Sequence, residues 1–202
     1  MKAARSTAAL SLLLLLAGCA APADTERPAA PTPSASAAPP TTAAPAPAPA
    51  DPTDAAWAQL MTPMNEQAVA LLSLAGPRAG DPRVRRWAAG LRTAQTGELD
   101  RLRPLLARMG LPDTNVHEGH DMPGMVTERV LEQARAVEGR AFDHLLTARI
   151  RDHLRQSAQV SRSETESGTR PDAKRLATAL VTARKAELAE LGLLTDPSGS
   201  AA

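Results

Sequence analysis

An internal repeat links residues 61–102 to residues 150–191, and it is the feature that most constrains the fold. A shift of 89 positions aligns the two segments without a gap and gives ten identities in 42 positions, among them Glu98 with Glu187. The identities recur at helical rather than strand spacing. The repeat therefore predicts an all-α fold in which two helix hairpins pack as a four-helix bundle with pseudo-twofold symmetry.

Apolar stripes at helical spacing define the expected helices. We expect long helices over about residues 54–75, 81–109, 139–163 and 171–194, and a short one over 128–136. Asp81-Pro82 is a typical helix start, whereas Gly76-Pro77 and Gly110 should each end a helix. Residues 111–124 are predicted to form a loop.

The N-terminus predicts export. Basic residues precede an apolar run, Ala8 to Leu16, that is too short to cross a bilayer as a permanent helix, so residues 1–18 are typical of a signal peptide. The segment ends in Leu16-Ala17-Gly18-Cys19, which resembles the lipobox of bacterial lipoproteins. We expect Cys19 to carry acyl chains such as palmitate and to anchor the chain to the cell membrane on its extracytoplasmic side. The alternative is an ordinary secretory leader with an incidental cysteine.

The segment after Cys19 is unlike a folded domain. Ten of the eighteen prolines lie between Pro22 and Pro52, in a stretch of Ala, Pro, Thr and Ser. Residues 19–53 are therefore predicted to be a disordered linker, 54–195 the helical domain and 196–202 a disordered tail. Because Cys19 is the only cysteine, no disulfide can form within the chain.

Composition excludes several classes of partner and activity. The 23 basic and 22 acidic residues nearly balance, which argues against nucleic acid as a partner. No nucleophile, base and orienting group can be assembled from the sequence, so we do not expect an enzyme. The composition does not indicate which protein, if any, is a partner.

Four residues of the repeat suggest a polar site near the bundle axis, which is a possible core site for a metal ion. Glu98 and Glu187 fall within apolar stripes, and buried carboxylates require a partner or a metal ion. Met64 and His153 occupy the matched position of the other two helices. In the alternative interpretation, the glutamates lie at the edge of the stripes and pair with Arg or Lys, for example Arg101 and Arg184, and His153 is an ordinary structural histidine.

A loop holds the second candidate metal site. Two histidines, an aspartate and two methionines lie within nine residues, and imidazole and thioether ligands together favour copper. The predicted ligands are His117, His120, Asp121, Met122 and Met125. Zinc bound through the histidines and Asp121 is an alternative, as is a solvated connection with incidental histidines.

The connector His120-Asp121-Met122-Pro123-Gly124-Met125 and the segment Gln95-x-x-Glu98, together with the gapless repeat, resemble the domain of unknown function 305 family. The resemblance covers roughly residues 57–194. It implies a ferritin-like, often exported domain with histidine- and methionine-based copper binding in some members, and it adds Gln95 to the candidate core site. The family's paired histidines are replaced here by Met64-Asn65 in the first repeat and reduced to His153 in the second.

Two functions follow as hypotheses. In the first, the chain is a lipid-anchored extracytoplasmic domain that binds copper or another transition metal through its loop. In the second, the metal role is lost and the bundle is a tethered scaffold or protein-interaction module.

Overall fold

The computed structural model describes residues 51–195, and all regular elements in this part of the chain are helices. In chain order they are α1 (Pro52–Ser73), α2 (Ala75–Arg78), α3 (Pro82–Arg108), α4 (Glu128–Arg135), α5 (Gly139–Ser167) and α6 (Pro171–Thr195). The predicted all-α fold is confirmed. The predicted signal peptide, nearly all of the linker and the predicted tail lie outside the described residues.

Four long helices form the bundle. Helix α1 packs against α3 and α5, and α6 packs against α5 and α3. The chain therefore forms one hairpin from α1 and α3 and a second from α5 and α6, in agreement with the repeat. Within residues 51–195, no helix is both long enough and apolar enough to cross a membrane. A ferritin-like topology stays a prediction.

Helix boundaries differ from the predictions at two places. The first helix ends at Ser73, and Gly76-Pro77 lies inside the short helix α2 instead of terminating α1. Helix α5 continues to Ser167, four residues beyond the predicted end. The reason is that Ser161 and Glu164 extend its buried stripe by one more turn, which the apolar pattern alone does not reveal.

Aspartates hold the helix starts in place. Asp51 accepts a hydrogen bond from the Thr53 amide at 2.9 Å, and Asp81 accepts one from the Arg83 amide at 2.7 Å. In both helices a proline follows the aspartate, where its missing amide proton costs nothing. The predicted start of α3 at Asp81-Pro82 is therefore confirmed.

A polar layer divides the interior into two apolar clusters. One cluster lies towards the α1–α3 and α4–α5 connections and contains Leu71, Phe142 and Ile150. The other lies towards the α5–α6 connection and contains Trp57 and four of the five methionines of residues 51–195, with Met122 packed against it. The residues that separate the clusters are polar and buried, and they come from all four long helices: Asn65, Gln95, Glu98, His153, Ser157 and Arg184.

Candidate functional site

Arg184 lies at the centre of the polar layer and is completely buried. Its Nη2 donates to Glu98 Oε2 at 2.5 Å and to Asn65 Oδ1 at 3.3 Å. Its Nη1 donates to Glu98 Oε1 at 3.0 Å and to Glu187 Oε2 at 2.8 Å. Its Nε donates to Ser157 Oγ at 2.7 Å. One guanidinium thereby connects α6 to each of the other three long helices.

The charges in this layer are compensated by contact. Burial by itself would lower the pKa of Arg184, but Glu98 and Glu187 hold the pKa above its ordinary value. Burial raises the pKa of Glu187, and the neighbouring Arg184 opposes that rise. The guanidinium is therefore charged, and it forms a bidentate, charge-assisted pair with Glu98, which is stronger than a pair of neutral hydrogen bonds.

His153 and Gln95 form the other part of the layer. The Gln95 Nε2 atom lies 3.1 Å from His153 Nε2. Burial lowers the pKa of His153 to about 3, the positive charge of Arg184 adds to this effect, and the backbone of Gly124 opposes it. His153 is consequently neutral at physiological pH.

The predicted core ligands are brought to the interior, but they are not arranged around a free metal position. Glu98 and Glu187 contact Arg184, as the alternative interpretation expected, whereas Arg101 donates to the Gly97 carbonyl instead. Met64 packs in the apolar cluster beside the layer. Within residues 51–195, no three His, Cys, Asp or Glu side chains come together as a potential metal site. The core residues, with a guanidinium among them, do not fit a metal ion.

The predicted loop between α3 and α4 contains a tight turn. The His120 amide donates to the His117 carbonyl at 3.1 Å, and Gly119 between them has a φ of 80°. Both histidines line one surface groove, together with Asp121. Asp121 pairs with Arg129 at 2.6 Å, and since both side chains are about 70% exposed this ion pair is weak and exchangeable.

The two loop methionines face a different groove. Met122 and Met125 line a groove against α5, and Asp121 borders it as well as the histidine groove. Met125 is buried and Met122 partly buried, both against the second apolar cluster. The structure therefore separates the predicted imidazole ligands from the predicted thioether ligands, with Asp121 between them.

A second buried carboxyl pair was not predicted. Asp54 at the start of α1 accepts hydrogen bonds from the Thr169 amide at 3.1 Å, the Thr169 hydroxyl at 2.8 Å and the Arg170 amide at 3.1 Å. Burial raises the pKa of Glu164 to about 8, and its hydrogen bond with Asp54 adds to this rise. Burial would raise the pKa of Asp54, but the hydrogen bonds from Glu164, Arg170 and Thr169 lower it overall.

Glycine makes room for this pair. A Cβ atom on Gly168 would lie 2.3 Å from Glu164 Oε1, so only glycine permits the carboxyl group to fold back against the helix end. The available signal was the helical spacing of Ser157, Ser161 and Glu164, which continues the stripe of α5 with polar residues.

The fold is shared with two solved structures. A DUF305 protein from Streptomyces coelicolor, described as secreted, is 24% identical, with a TM-score of 0.63 over 70% of this chain and 91% of its own. A DUF305 fragment from Deinococcus radiodurans is 20% identical, with a TM-score of 0.66 over 73% of this chain and 97% of its own. At these identities the likeness shows the fold alone. Among curated proteins, none matches the sequence.

The family comparison agrees with the sequence motifs. The family described as "Domain of unknown function (DUF305)" matches residues 54–194, which include all four long helices except the first two residues of α1 and the last of α6. The match covers more than half of the chain, and the protein therefore belongs to the DUF305 family.

Proposed function

We propose that this protein is a lipid-anchored, extracytoplasmic helical domain that binds copper through the loop between α3 and α4. The observation that carries the proposal is the tight turn at residues 117–120, which places His117 and His120 in one surface groove. Asp121 borders the same groove. Binding rather than catalysis is the proposed role.

The donor chemistry supports copper at this loop. Imidazole binds copper in proteins, and a thioether favours Cu(I). His117 and His120 would hold the ion, with Asp121 as a third ligand once it leaves Arg129. Met122 and Met125 border the adjacent groove, where a Cu(I) ion would meet softer donors. Both methionines pack against the core, so their use as ligands requires a local shift of the loop.

The extracytoplasmic location is supported from two directions. Residues 1–19 have the pattern of a lipoprotein leader. The similar Streptomyces protein is described as secreted. We expect Cys19→Ala to abolish incorporation of labelled palmitate and to release the protein from the membrane fraction. Unchanged labelling of this variant would contradict the anchor.

Copper titration of the purified domain tests the loop. We expect the double variant His117→Ala/His120→Ala to bind Cu(II) at least ten times more weakly than the parent, because it lacks both imidazoles. The matched control is His144→Ala, an exposed histidine on α5, which should bind copper as the parent does. Equal affinity in the double variant and the parent would disprove the loop site.

The methionine groove is tested separately. In Met122→Leu/Met125→Leu the apolar volume is nearly kept, so folding should be preserved. We expect Cu(I) affinity to fall while Cu(II) affinity is retained. Unchanged Cu(I) affinity would restrict the site to the histidine groove.

A metal-free scaffold is the second candidate function. It is favoured by Arg184, whose charge is unfavourable for any cation in the bundle interior. A copper-dependent rise in the melting temperature of the parent would count against it, since only a ligand bound to the folded state stabilises that state. No rise at saturating copper would favour it over the copper proposal.

A further inference from the structure

The two repeat-related glutamates converge on one point in the interior. Glu98 Oε1 and Glu187 Oε2 lie 3.0 Å and 2.8 Å from the same atom, Arg184 Nη1. The two residues occupy equivalent positions of the repeat, Glu98 on α3 and Glu187 on α6, and the packing of these helices brings their carboxylates together. Two carboxylates that meet in the interior need either a shared proton or a cation between them, and here Arg184 supplies the cation.

The guanidinium satisfies this requirement completely. Its five N–H groups face five acceptor contacts: two to Glu98 and one each to Glu187, Asn65 and Ser157. All five acceptors are oxygen atoms. A buried arginine with every donor paired is the condition under which its charge is tolerated. The layer is thus an oxygen-lined site that a cation already fills.

The two halves of the repeat differ at the position of this cation. The residue equivalent to Arg184 is Gln95, a neutral side chain that contacts His153. Asn65 Nδ2 donates to Glu98 Oε2 at 2.7 Å and so helps to orient this carboxylate. With glutamine in both halves, the same glutamates would lie close together without a counter-ion.

We infer that Arg184 is the resident cation of a carboxylate site that would otherwise take a divalent metal ion. The guanidinium closes the bundle interior to metal and makes the assembly of the four helices independent of metal supply. This inference is separate from the loop proposal, because it concerns different residues. The unmodified chain should bind copper at the loop but no metal ion in the bundle interior.

A variant that removes the resident cation tests the inference. We choose Arg184→Gln, which copies the equivalent residue of the first repeat, in the background His117→Ala/His120→Ala so that the loop histidines cannot bind the probe. The probe is Co²⁺, whose visible absorption reports ligation and whose preference for carboxylate and imidazole resembles that of zinc. Equilibrium dialysis gives the stoichiometry.

The expected result is one Co²⁺ ion per chain for the Arg184→Gln variant and none for its Arg184 parent. At Co²⁺ concentrations about 100 times the Kd, the melting temperature of the variant should rise by roughly 5–10 °C relative to chelator. Adding Glu98→Gln and Glu187→Gln should abolish both effects. Arg184→Lys is the matched control, because it keeps a buried cation and should bind no Co²⁺.

Three outcomes would overturn the inference. The first is a folded Arg184→Gln variant that binds no Co²⁺. The second is a variant that fails to fold with Co²⁺ as well as with chelator, since metal should replace the guanidinium. The third is that the parent, which keeps Arg184, binds Co²⁺ and that Glu98→Gln abolishes this binding. None of these results changes the expectation for copper at the loop, whose failure would appear only in the His117 and His120 titration.

Discussion

Arg184 and Glu164 are both buried ionisable side chains, and their charges are compensated in different ways. Arg184 stays charged because two carboxylates contact it. Glu164 lies beside a second acid, Asp54, and the pKa of Glu164 rises to about 8 through burial and its hydrogen bond with Asp54. Of the two acids, Glu164 therefore carries the shared proton at neutral pH, while Asp54 accepts from Thr169 and Arg170.

This proton predicts a pH dependence of stability. Because the folded pKa of Glu164 is raised above its ordinary value of 4.5, the unfolded chain binds fewer protons between pH 4.5 and about 8. The ionisation of Glu164 therefore lowers the free energy of unfolding as the pH rises through that window. The negative charges of Asp51 and Asp54 add to the rise in the pKa of Glu164, whereas the positive charge of Lys174 opposes it.

We expect Glu164→Gln to remove this contribution while keeping a hydrogen-bond donor towards Asp54. Urea unfolding at pH 5 and pH 8 should show the variant gaining stability relative to the parent at the higher pH, by up to a few kcal/mol. A difference between variant and parent that does not change with pH would disprove the shared proton.

The comparison between Glu164→Gln and the parent is needed because His153 changes the free energy of unfolding with pH in the opposite direction. The folded pKa of His153 is about 3 against an ordinary value of 6.5, so its contribution to stability is lost as pH falls from 6.5 towards 3. The pH profile of the parent combines both effects. Only the difference isolates Glu164.

At the scale of the elements, the connector between α3 and α4 approaches α5 very closely at Gly124. Gly124 has a φ of 75°, and a Cβ atom there would lie 2.4 Å from Gln156 Cβ. This close approach positions Met122 and Met125 beside the core. The loop that carries the proposed copper ligands is thus positioned by this close contact at Gly124 together with the packing of Met122 and Met125.

We expect Gly124→Ala to destabilise the domain by about 1–3 kcal/mol beyond the cost of its positive φ, because the added methyl group overpacks the contact with α5. The matched control is Gly119→Ala, which has a φ of 80° but no atom within 4 Å of the added Cβ. Urea unfolding measures both variants. Equal loss in the two variants would show that the contact with Gln156 does not hold the loop.

At the scale of the whole molecule, one side chain contacts all three of the other long helices of the bundle. Arg184 on α6 contacts Asn65 on α1, Glu98 on α3 and Ser157 on α5. Apolar clusters lie on either side of this contact, so the bundle has a polar centre between two apolar regions. Such a layer favours one register of α3 against α6, since sliding either helix would separate Arg184 from Glu98 and leave buried charges unpaired.

Breaking this centre should be costly. We expect Glu98→Gln to lower the free energy of unfolding by about 3–5 kcal/mol, because the buried guanidinium loses its bidentate partner. Glu128→Gln serves as the control, since Glu128 pairs with Arg135 on the surface with side chains 66% and 50% exposed. This control should change stability by less than about 1 kcal/mol. Similar losses in the two variants would contradict the central role of the layer.

Several features follow from the sequence alone, and their physical basis is local. Helical spacing of apolar residues predicts the four long helices, and Asp81-Pro82 predicts the start of α3. The gapless repeat predicts two hairpins, since equivalent stripes must bury equivalent faces. The connector motif and Gln95-x-x-Glu98 indicated the DUF305 family, which the family match over residues 54–194 confirms. The helices and their starts are visible in the sequence because they depend on neighbours one to four positions apart, and the repeat is visible because its two copies share residues at equivalent positions.

The pairing of charges was decided by tertiary structure. The sequence predicts that Glu98 is buried, but whether it meets a metal ion, Arg101 or Arg184 depends on how α3 and α6 approach each other. The Asp54–Glu164 pair joins residues 110 positions apart, and no short-range pattern reports such a contact. The separation of the loop histidines from the loop methionines likewise results from the turn at residues 117–120 and from the close contact of Gly124 with α5. The apolar stripes and the repeat in the sequence therefore determine which side chains enter the interior. The packing of helices that are distant in sequence determines which side chain compensates each buried charge.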